Sequence, residues 1–158
     1  MAGMTVAALL DTARYWGLTF TTAESCTGGM VAAALTDVAG SSDVFERGFV
    51  TYSNAAKIEL LGVRPETLEA HGAVSEEVAR EMADGALAHS HADIAVSITG
   101  IAGPGGSEFK PEGRVCFGLA RKGRATRVET VEFGATGRAK VRKAATEHAL
   151  SLLLQAMV

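Results

Sequence analysis

The sequence predicts an α/β protein: a three-layer α/β/α sandwich built around a mixed, mostly parallel sheet. In the first two thirds of the chain, segments with helical periodicity alternate with segments rich in β-branched and aromatic residues, as in strands joined by helices. Farther on, residues 113–123 and 124–134 are two strand-like segments separated only by a Lys-Gly turn. Such a pair predicts an antiparallel hairpin at the edge of the sheet.

The N-terminal elements follow from apolar spacing and from glycines. Residues 6–16 carry apolar side chains at helical spacing, and Gly17 follows, which is the residue type that most often ends a helix. Residues 18–23 are rich in threonine and contain a phenylalanine, so we expect a strand. An alanine-rich helix then begins at Gly28 and is closed by Gly40.

The middle of the chain predicts a second strand and three helices. Residues 43–53 alternate in polarity and carry aromatic side chains, which indicates a strand. Short helices are expected at residues 54–62 and 65–72. Ser75 is a favourable N-cap for a longer helix over residues 75–90, because its hydroxyl can accept from a free N–H of the first turn.

The C-terminal part adds a buried strand, a loop and a last helix. Residues 92–98 are almost continuously apolar and predict a buried strand. Residues 99–113 hold five glycines and two prolines and predict a long loop. Beyond the hairpin, residues 137–158 form an amphipathic helical pattern. Because no repeat or linker interrupts this order, we expect residues 1–158 to form a single domain.

Composition excludes several classes of protein. Fifteen basic and eighteen acidic side chains give a net charge of −3, so no basic face for nucleic acid is expected. No apolar run has the length of a membrane span, and the N-terminus lacks the features of a signal peptide.

The two cysteines, Cys26 and Cys116, favour a reducing cytoplasm. His89 and His91 lack a third ligand nearby in sequence, so neither a metal nor another cofactor is predicted.

The stretch TTAESCTGG, residues 21–29, is the first candidate site, because a predicted strand leads there into a predicted helix. Ligands of open α/β sheets collect at such positions, where free N–H groups favour an anion or a developing oxyanion. Ser25 and Cys26 are both possible nucleophiles, and the following glycines would let a substrate approach the backbone. The alternative is structural: Ser25 or Thr27 caps the helix.

A base for Ser25 must come from elsewhere, since the stretch matches neither G-x-S-x-G nor S-x-x-K. The short helix after the second strand offers Lys57, which lies four residues beyond Ser53. A lysine in a desolvated cleft can act as a base, because burial lowers the pKa of an amine. A solvated surface lysine is the alternative interpretation of Lys57.

Two further regions qualify as candidate binding elements. The glycine-rich loop that begins at Thr99 is not a P-loop, but a loop of this length is more often a binding loop or lid than a simple connection. Arg138 and Arg142 open the last helix, where a cation opposes the helix dipole.

Long stretches of the chain resemble the CinA C-terminal domain family. They are TTAESCTGG, GSSDVFERGFVTYSNAAKIELLGV, HGAVS and SITGIAGPGGSEFKPEG, and the resemblance extends from about Thr21 to the final helix. It implies an α/β/α fold with a mixed sheet. Because stand-alone members are nicotinamide-nucleotide amidases, it also implies hydrolysis of nicotinamide mononucleotide to nicotinic acid mononucleotide and ammonia. The larger family members carry an additional N-terminal domain, for which we expect no room here.

Carried over residue by residue, the resemblance implies that Ser25 is the nucleophile, Lys57 its general base and Tyr52 a helper in proton transfer or lysine positioning. Backbone N–H groups at the 27–29 turn are the expected oxyanion donors. Cys26 is then expected to pack into the interior. The predicted substrate contacts are Thr27, Gly28, Gly29, Asn54, Thr99, Gly100, Gly103 and Arg142.

The chain departs from the family pattern in two places. The family's loop often reads A-G-P-x-G-G, whereas AGPGGS here is one residue shorter, and the family's G-D-R is TGR at 136–138. Arg142 matches the family's second arginine and is our choice for the substrate phosphate, with Arg138 as the alternative. A non-catalytic nucleotide-binding module and an amidase for another carboxamide are the competing functions. The oligomeric state stays open, although an alanine-rich helical surface is compatible with a homo-oligomer.

Overall fold

A computed structural model describes residues 5–107 and 109–158. The α-helices in the described part of the chain are α1 (Val6–Trp16), α2 (Met30–Thr36), α3 (Asn54–Leu61), α4 (Pro65–His71), α5 (Glu76–Ala88) and α6 (Arg138–Gln155). The strands are β1 (Phe20–Glu24), β2 (Phe45–Val50), β3 (Ile94–Gly100), β4 (Arg114–Arg121) and β5 (Arg127–Glu132).

The strands form one mixed sheet in the order β2-β1-β3-β4-β5. β1 lies between β2 and β3 and is parallel to both. β4 is antiparallel to β3 and to β5, so four of these five strands run in the same direction. The predicted sheet, mostly parallel with an antiparallel member, is therefore confirmed, and so is the hairpin.

Helices cover both faces of the sheet, which confirms the three-layer sandwich. The larger core lies between the sheet and α1, α2 and α6, and includes Phe20 of β1 and Ile94 of β3. The smaller core lies on the other face, where Ala23 and Ala95 pack with residues of α3 and α5. Successive strand residues point to opposite faces, so each central strand contributes to both cores.

Several helix boundaries lie where the sequence predicts them. Gly17 and Gly62 follow α1 and α3 in the left-handed conformation, with φ of 66° and 70°. The Ser75 hydroxyl accepts from Val78 N–H at 3.2 Å and caps α5. These ends depend on local backbone chemistry, which a single residue type can indicate.

Other boundaries differ from the prediction. α2 begins at Met30, because Gly28 and Gly29 have φ of 56° and 105° and form a turn. It ends at Thr36, short of the predicted Gly40. β3 continues through Thr99 and Gly100, which pair with β4 instead of opening the loop.

β2 is shorter than predicted, and this affects the functional part of the chain. The strand ends at Val50, and Ser53 is the N-cap of α3, its hydroxyl accepting from Ala56 N–H at 3.0 Å. Ser53 therefore precedes the helix and does not belong to its face. The capped helix begins close to the end of β2 and carries Lys57 on its buried side.

Candidate active site

A cavity of about 330 Å³ lies where β1 and β3 end. Parallel neighbours end at the same edge of a sheet, and this is where open α/β sheets place ligands. The first residues of α3 and α6 also reach this edge. The wall contains Ser25, Cys26, Tyr52, Asn54, Lys57, Thr99, Gly100, Gly103, the following loop residues up to Ser107, and Arg138.

Ser25 and Lys57 meet in the wall of this cavity. Lys57 Nζ lies 3.1 Å from Ser25 Oγ and donates to it, and a second bond of 3.0 Å reaches the Thr51 carbonyl. The Lys57 residue is only 1% exposed and Ser25 8%. The alternative of a solvated surface lysine is therefore wrong. A buried amine in contact with a hydroxyl can take up its proton, which is the arrangement that activates a serine nucleophile.

Cys26, next to Ser25, also reaches the cavity wall but packs into the protein core. The residue is 5% exposed and belongs to the core between the sheet and helices α1, α2 and α6. Burial raises the pKa of the Cys26 thiol from 9.0 to about 11. The thiolate is the nucleophilic form of cysteine, so Cys26 is a weak nucleophile at neutral pH.

Glu24 organises the turn that carries Ser25. Its fully buried carboxylate accepts from the Thr27 hydroxyl at 2.6 Å, from Val31 N–H at 2.9 Å and from Ala32 N–H at 3.0 Å. The expected capping of α2 by Ser25 or Thr27 is wrong, because Glu24 satisfies its free N–H groups. Glu24 was not among the predicted site residues, although its position just before a predicted helix is a signal for an N-terminal acidic partner.

The backbone N–H groups of Gly28 and Gly29 already donate hydrogen bonds within the protein. Gly28 N–H donates to the Ser25 carbonyl at 3.0 Å, and Gly29 N–H reaches Glu24 at 3.3 Å. Thr27, Gly28 and Gly29 are also not among the cavity-lining residues, unlike Ser25 and Cys26. The glycine N–H groups would have to exchange these partners before they could serve as oxyanion donors.

The outer wall of the cavity joins three segments through Arg138. Its Nη2 donates to the Tyr52 hydroxyl at 2.7 Å, and its Nη1 donates to the Gly103 carbonyl at 2.7 Å. Tyr52 itself is 62% exposed. Deeper in the wall, the Thr99 hydroxyl donates to the Ala73 carbonyl at 2.8 Å. Three segments therefore meet here: the start of α6, the glycine-rich loop and the segment before α3. We call this place, defined by Tyr52, Gly103 and Arg138, the mouth of the cavity.

Arg142 lies one helical turn beyond Arg138 and does not line the cavity. Its Nε donates to the Cys26 carbonyl at 2.9 Å, and its Nη2 makes a longer contact of 3.4 Å to the Thr27 carbonyl. This placement does not support our choice of Arg142 as the phosphate ligand. Of the two arginines, Arg138 is the one that faces the cavity.

Within residues 5–107 and 109–158, no three His, Cys, Asp or Glu side chains come close enough together to hold a metal ion. His89 instead uses its Nδ1 on the Gly85 carbonyl at 2.8 Å. No helix in the same part of the chain is long and apolar enough to cross a membrane.

Comparison with known proteins identifies relatives over nearly the whole chain. The nicotinamide-nucleotide amidohydrolase PncC of Escherichia coli is 59% identical over 140 residues, which cover 88% of this chain and 84% of that protein. A CinA-like protein of Chlorobium phaeobacteroides is 60% identical over 124 residues, which cover 77% of this chain but only 30% of that longer protein.

A solved structure extends the comparison to the fold. The competence/damage inducible protein CihA from Agrobacterium tumefaciens superposes with a TM-score of 0.91 at 46% identity, covering 96% of this chain and 92% of that one. The sequence pattern of the CinA C-terminal domain matches residues 4–157. The chain belongs to the CinA C-terminal domain family.

Proposed function

We propose that this chain is a nicotinamide-nucleotide amidase that hydrolyses nicotinamide mononucleotide to nicotinic acid mononucleotide and ammonia. The observation that carries the proposal is the buried contact of 3.1 Å between Lys57 Nζ and Ser25 Oγ in a cavity wall. The activity of the PncC relative, which is 59% identical, supports the choice of substrate.

The reaction begins with acyl transfer to Ser25. In its neutral form Lys57 accepts the Ser25 hydroxyl proton while Oγ attacks the carboxamide carbon. The tetrahedral intermediate then collapses, its C–N bond breaks, and Lys57 returns the proton to the departing nitrogen, which leaves as ammonia. The substrate's acyl group is now an ester of Ser25.

Water completes the cycle. Lys57 takes a proton from a water molecule that attacks the ester carbon, and the bond to Ser25 Oγ breaks with return of that proton to the serine. The sum is one amide and one water converted to one acid and one ammonia. No redox partner is required, and both steps use the same pair of residues.

The cavity offers a cation for the charged end of the substrate. Arg138 lines the same cavity as Ser25 and Lys57, and its guanidinium can exchange the Tyr52 and Gly103 contacts for phosphate oxygens. Arginine suits this role because its planar set of donors matches phosphate. Tyr52, released from Arg138, would then contact the substrate at the same mouth.

Ammonia release from nicotinamide mononucleotide by the purified chain tests the proposal directly. Ser25→Ala removes the attacking oxygen, so we expect undetectable turnover with the nucleotide still bound, as measured by calorimetry. Cys26→Ala is the matched control and should retain most of the activity. An active Ser25→Ala variant together with an inactive, folded Cys26→Ala variant would assign the chemistry to the thiol.

The same assay separates the competing functions. Binding of the nucleotide without ammonia release by the wild-type chain would favour a non-catalytic binding module. Ammonia release from other carboxamides but not from the mononucleotide would keep the Ser25–Lys57 chemistry and replace the substrate.

A further inference from the structure

The turn that carries Ser25 is held from two sides by residues that do not line the cavity. On one side Glu24 accepts from donors of the turn and of the first residues of α2. On the other side Arg142, from the distant helix α6, donates to the carbonyls of Cys26 and Thr27. One acidic side chain therefore holds N–H groups of Gly29 and of the start of α2, and one basic side chain holds the carbonyls of the two residues just before the glycines.

The charge of Arg142 is directed at this turn. Within the described residues, no carboxylate forms an ion pair with Arg142. The guanidinium is half-buried, and its hydrogen bonds go to backbone oxygen. Hydrogen bonds from a charged donor are stronger than neutral ones, so they restrain these carbonyls.

Gly28 provides the space for this contact. A Cβ at position 28 would lie 3.2 Å from Arg142 Nη2, and the backbone there has φ of 56°. Because a peptide group is planar and trans, a restrained carbonyl also fixes the direction of the N–H that follows it. Arg142 thereby sets the orientation of the peptide groups that follow Cys26 and Thr27.

We infer that Arg142, together with Glu24, is a positioning residue that keeps Ser25 Oγ at hydrogen-bonding distance from Lys57. The catalytic consequence rests on the proposed amidase function, whereas the restraint on the turn does not. Displacement of a reacting group by about 1 Å can reduce turnover on the order of 100-fold, so a restraint outside the cavity affects the rate.

Arg142→Met, with Lys143→Met as the matched control on the exposed side of α6, tests the inference kinetically. For Arg142→Met we expect kcat to fall about 10- to 100-fold, whether the substrate is nicotinamide mononucleotide or its riboside. KM should change by no more than about twofold, because no binding contact is lost. A selective rise in KM for the mononucleotide would overturn the inference, since it would make Arg142 a phosphate ligand.

A second readout does not need amidase activity. Loss of the Arg142 contact frees the Cys26 carbonyl, so alkylation of the Cys26 thiol should become roughly tenfold faster through local opening. Mass spectrometry distinguishes Cys26 from Cys116. If the wild-type chain releases no ammonia, faster labelling in Arg142→Met alone still supports the restraint, and equal labelling in all variants overturns it.

Arg142→Lys covers the case in which Arg142→Met fails to fold. Lysine keeps the positive charge but loses the planar donor pair, so kcat should fall to an intermediate value, and Cys26 labelling should accelerate less. If Arg142→Lys has the same kcat and the same rate of Cys26 labelling as the wild-type chain, the inference is overturned. Glu24→Gln retains the shape of the side chain. It should lower kcat to the same extent for the mononucleotide, which carries a phosphate, and for the riboside, which does not.

Discussion

Ser25 and Cys26 are neighbours in the chain, but only Ser25 has surroundings that favour a nucleophile. Ser25 contacts a buried amine at the edge of a cavity, whereas Cys26 is packed into the larger core. Cysteine is intrinsically the better nucleophile, but only as thiolate, and burial keeps the thiol protonated. The choice between the two nucleophiles depends on burial and on Lys57.

The proposed base gives a prediction that separates charge from proton transfer. Lys57→Arg keeps a cation beside Ser25, but arginine does not deprotonate in proteins. We expect kcat to fall about 10²–10⁴-fold, the usual contribution of general base catalysis, while calorimetry still detects nucleotide binding. Lys140→Arg, on the exposed start of α6, is the matched control. Substantial turnover by Lys57→Arg would show that another group takes the proton.

The thiol gives a prediction for pH. With a pKa of about 11, Cys26 loses its proton only in strongly alkaline solution. Its alkylation by iodoacetamide should therefore accelerate about tenfold per pH unit from neutrality to about pH 11. Circular dichroism at each pH verifies that the protein stays folded. A plateau near the ordinary thiol pKa of 9.0 would show that the thiol reacts from a locally opened state and not from the buried environment that raises its pKa.

At the scale of elements, the position of Lys57 depends on how closely α3 packs against α5. Gly85 of α5 faces the end of α3, where a Cβ would lie 1.9 Å from the Leu61 carbonyl oxygen. No side chain fits at this distance, so the two helix backbones are in direct contact. The glycine lets α3 lie close enough to α5 for Lys57 to reach Ser25.

Gly85→Ala tests this packing. In an exposed helix interior this substitution stabilises, but here the helices must separate, so we expect the free energy of unfolding to fall by about 1–3 kcal/mol. The shift of α3 should also lower kcat. Urea denaturation measures the stability, and the ammonia assay measures kcat. The control is the reverse substitution Ala88→Gly on the exposed face of α5, which changes helix propensity without changing the contact with α3. Unchanged or increased stability would show that α3 and α5 are not in backbone contact.

Element boundaries were predictable where one residue determines them, and not where pairing between distant segments does. Gly17, Gly62 and Ser75 mark helix ends through their own backbone or hydroxyl chemistry. Thr99 and Gly100 resemble loop residues in sequence, yet β4 pairs with them and extends β3. Pairing of this kind depends on a strand that is distant in sequence, and the residues around Thr99 and Gly100 do not indicate which strand it is.

At the scale of the whole molecule, the sequence was informative about the residue types of the site and less so about their contacts. Arg138 and Arg142 are four apart, hence on the same face of α6, and no local feature separates them. Only the folded chain directs Arg138 to the cavity and Arg142 to the turn. The position of Glu24 before a predicted helix is a partial signal, but its hydrogen-bond donors come together only in the completed turn.

The two arginines give opposite kinetic predictions. Arg138→Met removes the cation at the mouth, and a charge-assisted contact contributes about 1.5–3 kcal/mol. We expect KM for nicotinamide mononucleotide to rise about 10- to 100-fold, with little change for the riboside, which has no phosphate. Steady-state assays on both substrates measure this, and Arg142→Met serves as the comparison. Equal losses on both substrates would mean that Arg138 supports the wall and does not bind phosphate.

The bond between Arg142 and Cys26 joins positions 116 residues apart, and this has a consequence for synthesis of the protein. A ribosome adds about 5–20 residues per second, so the serine turn is made roughly 6 to 23 s before the arginine that restrains it. In the first part of that interval β1 also lacks its neighbour β3, and throughout the interval the larger core lacks α6. The nascent chain should therefore hydrolyse no amide until its last helix has been released.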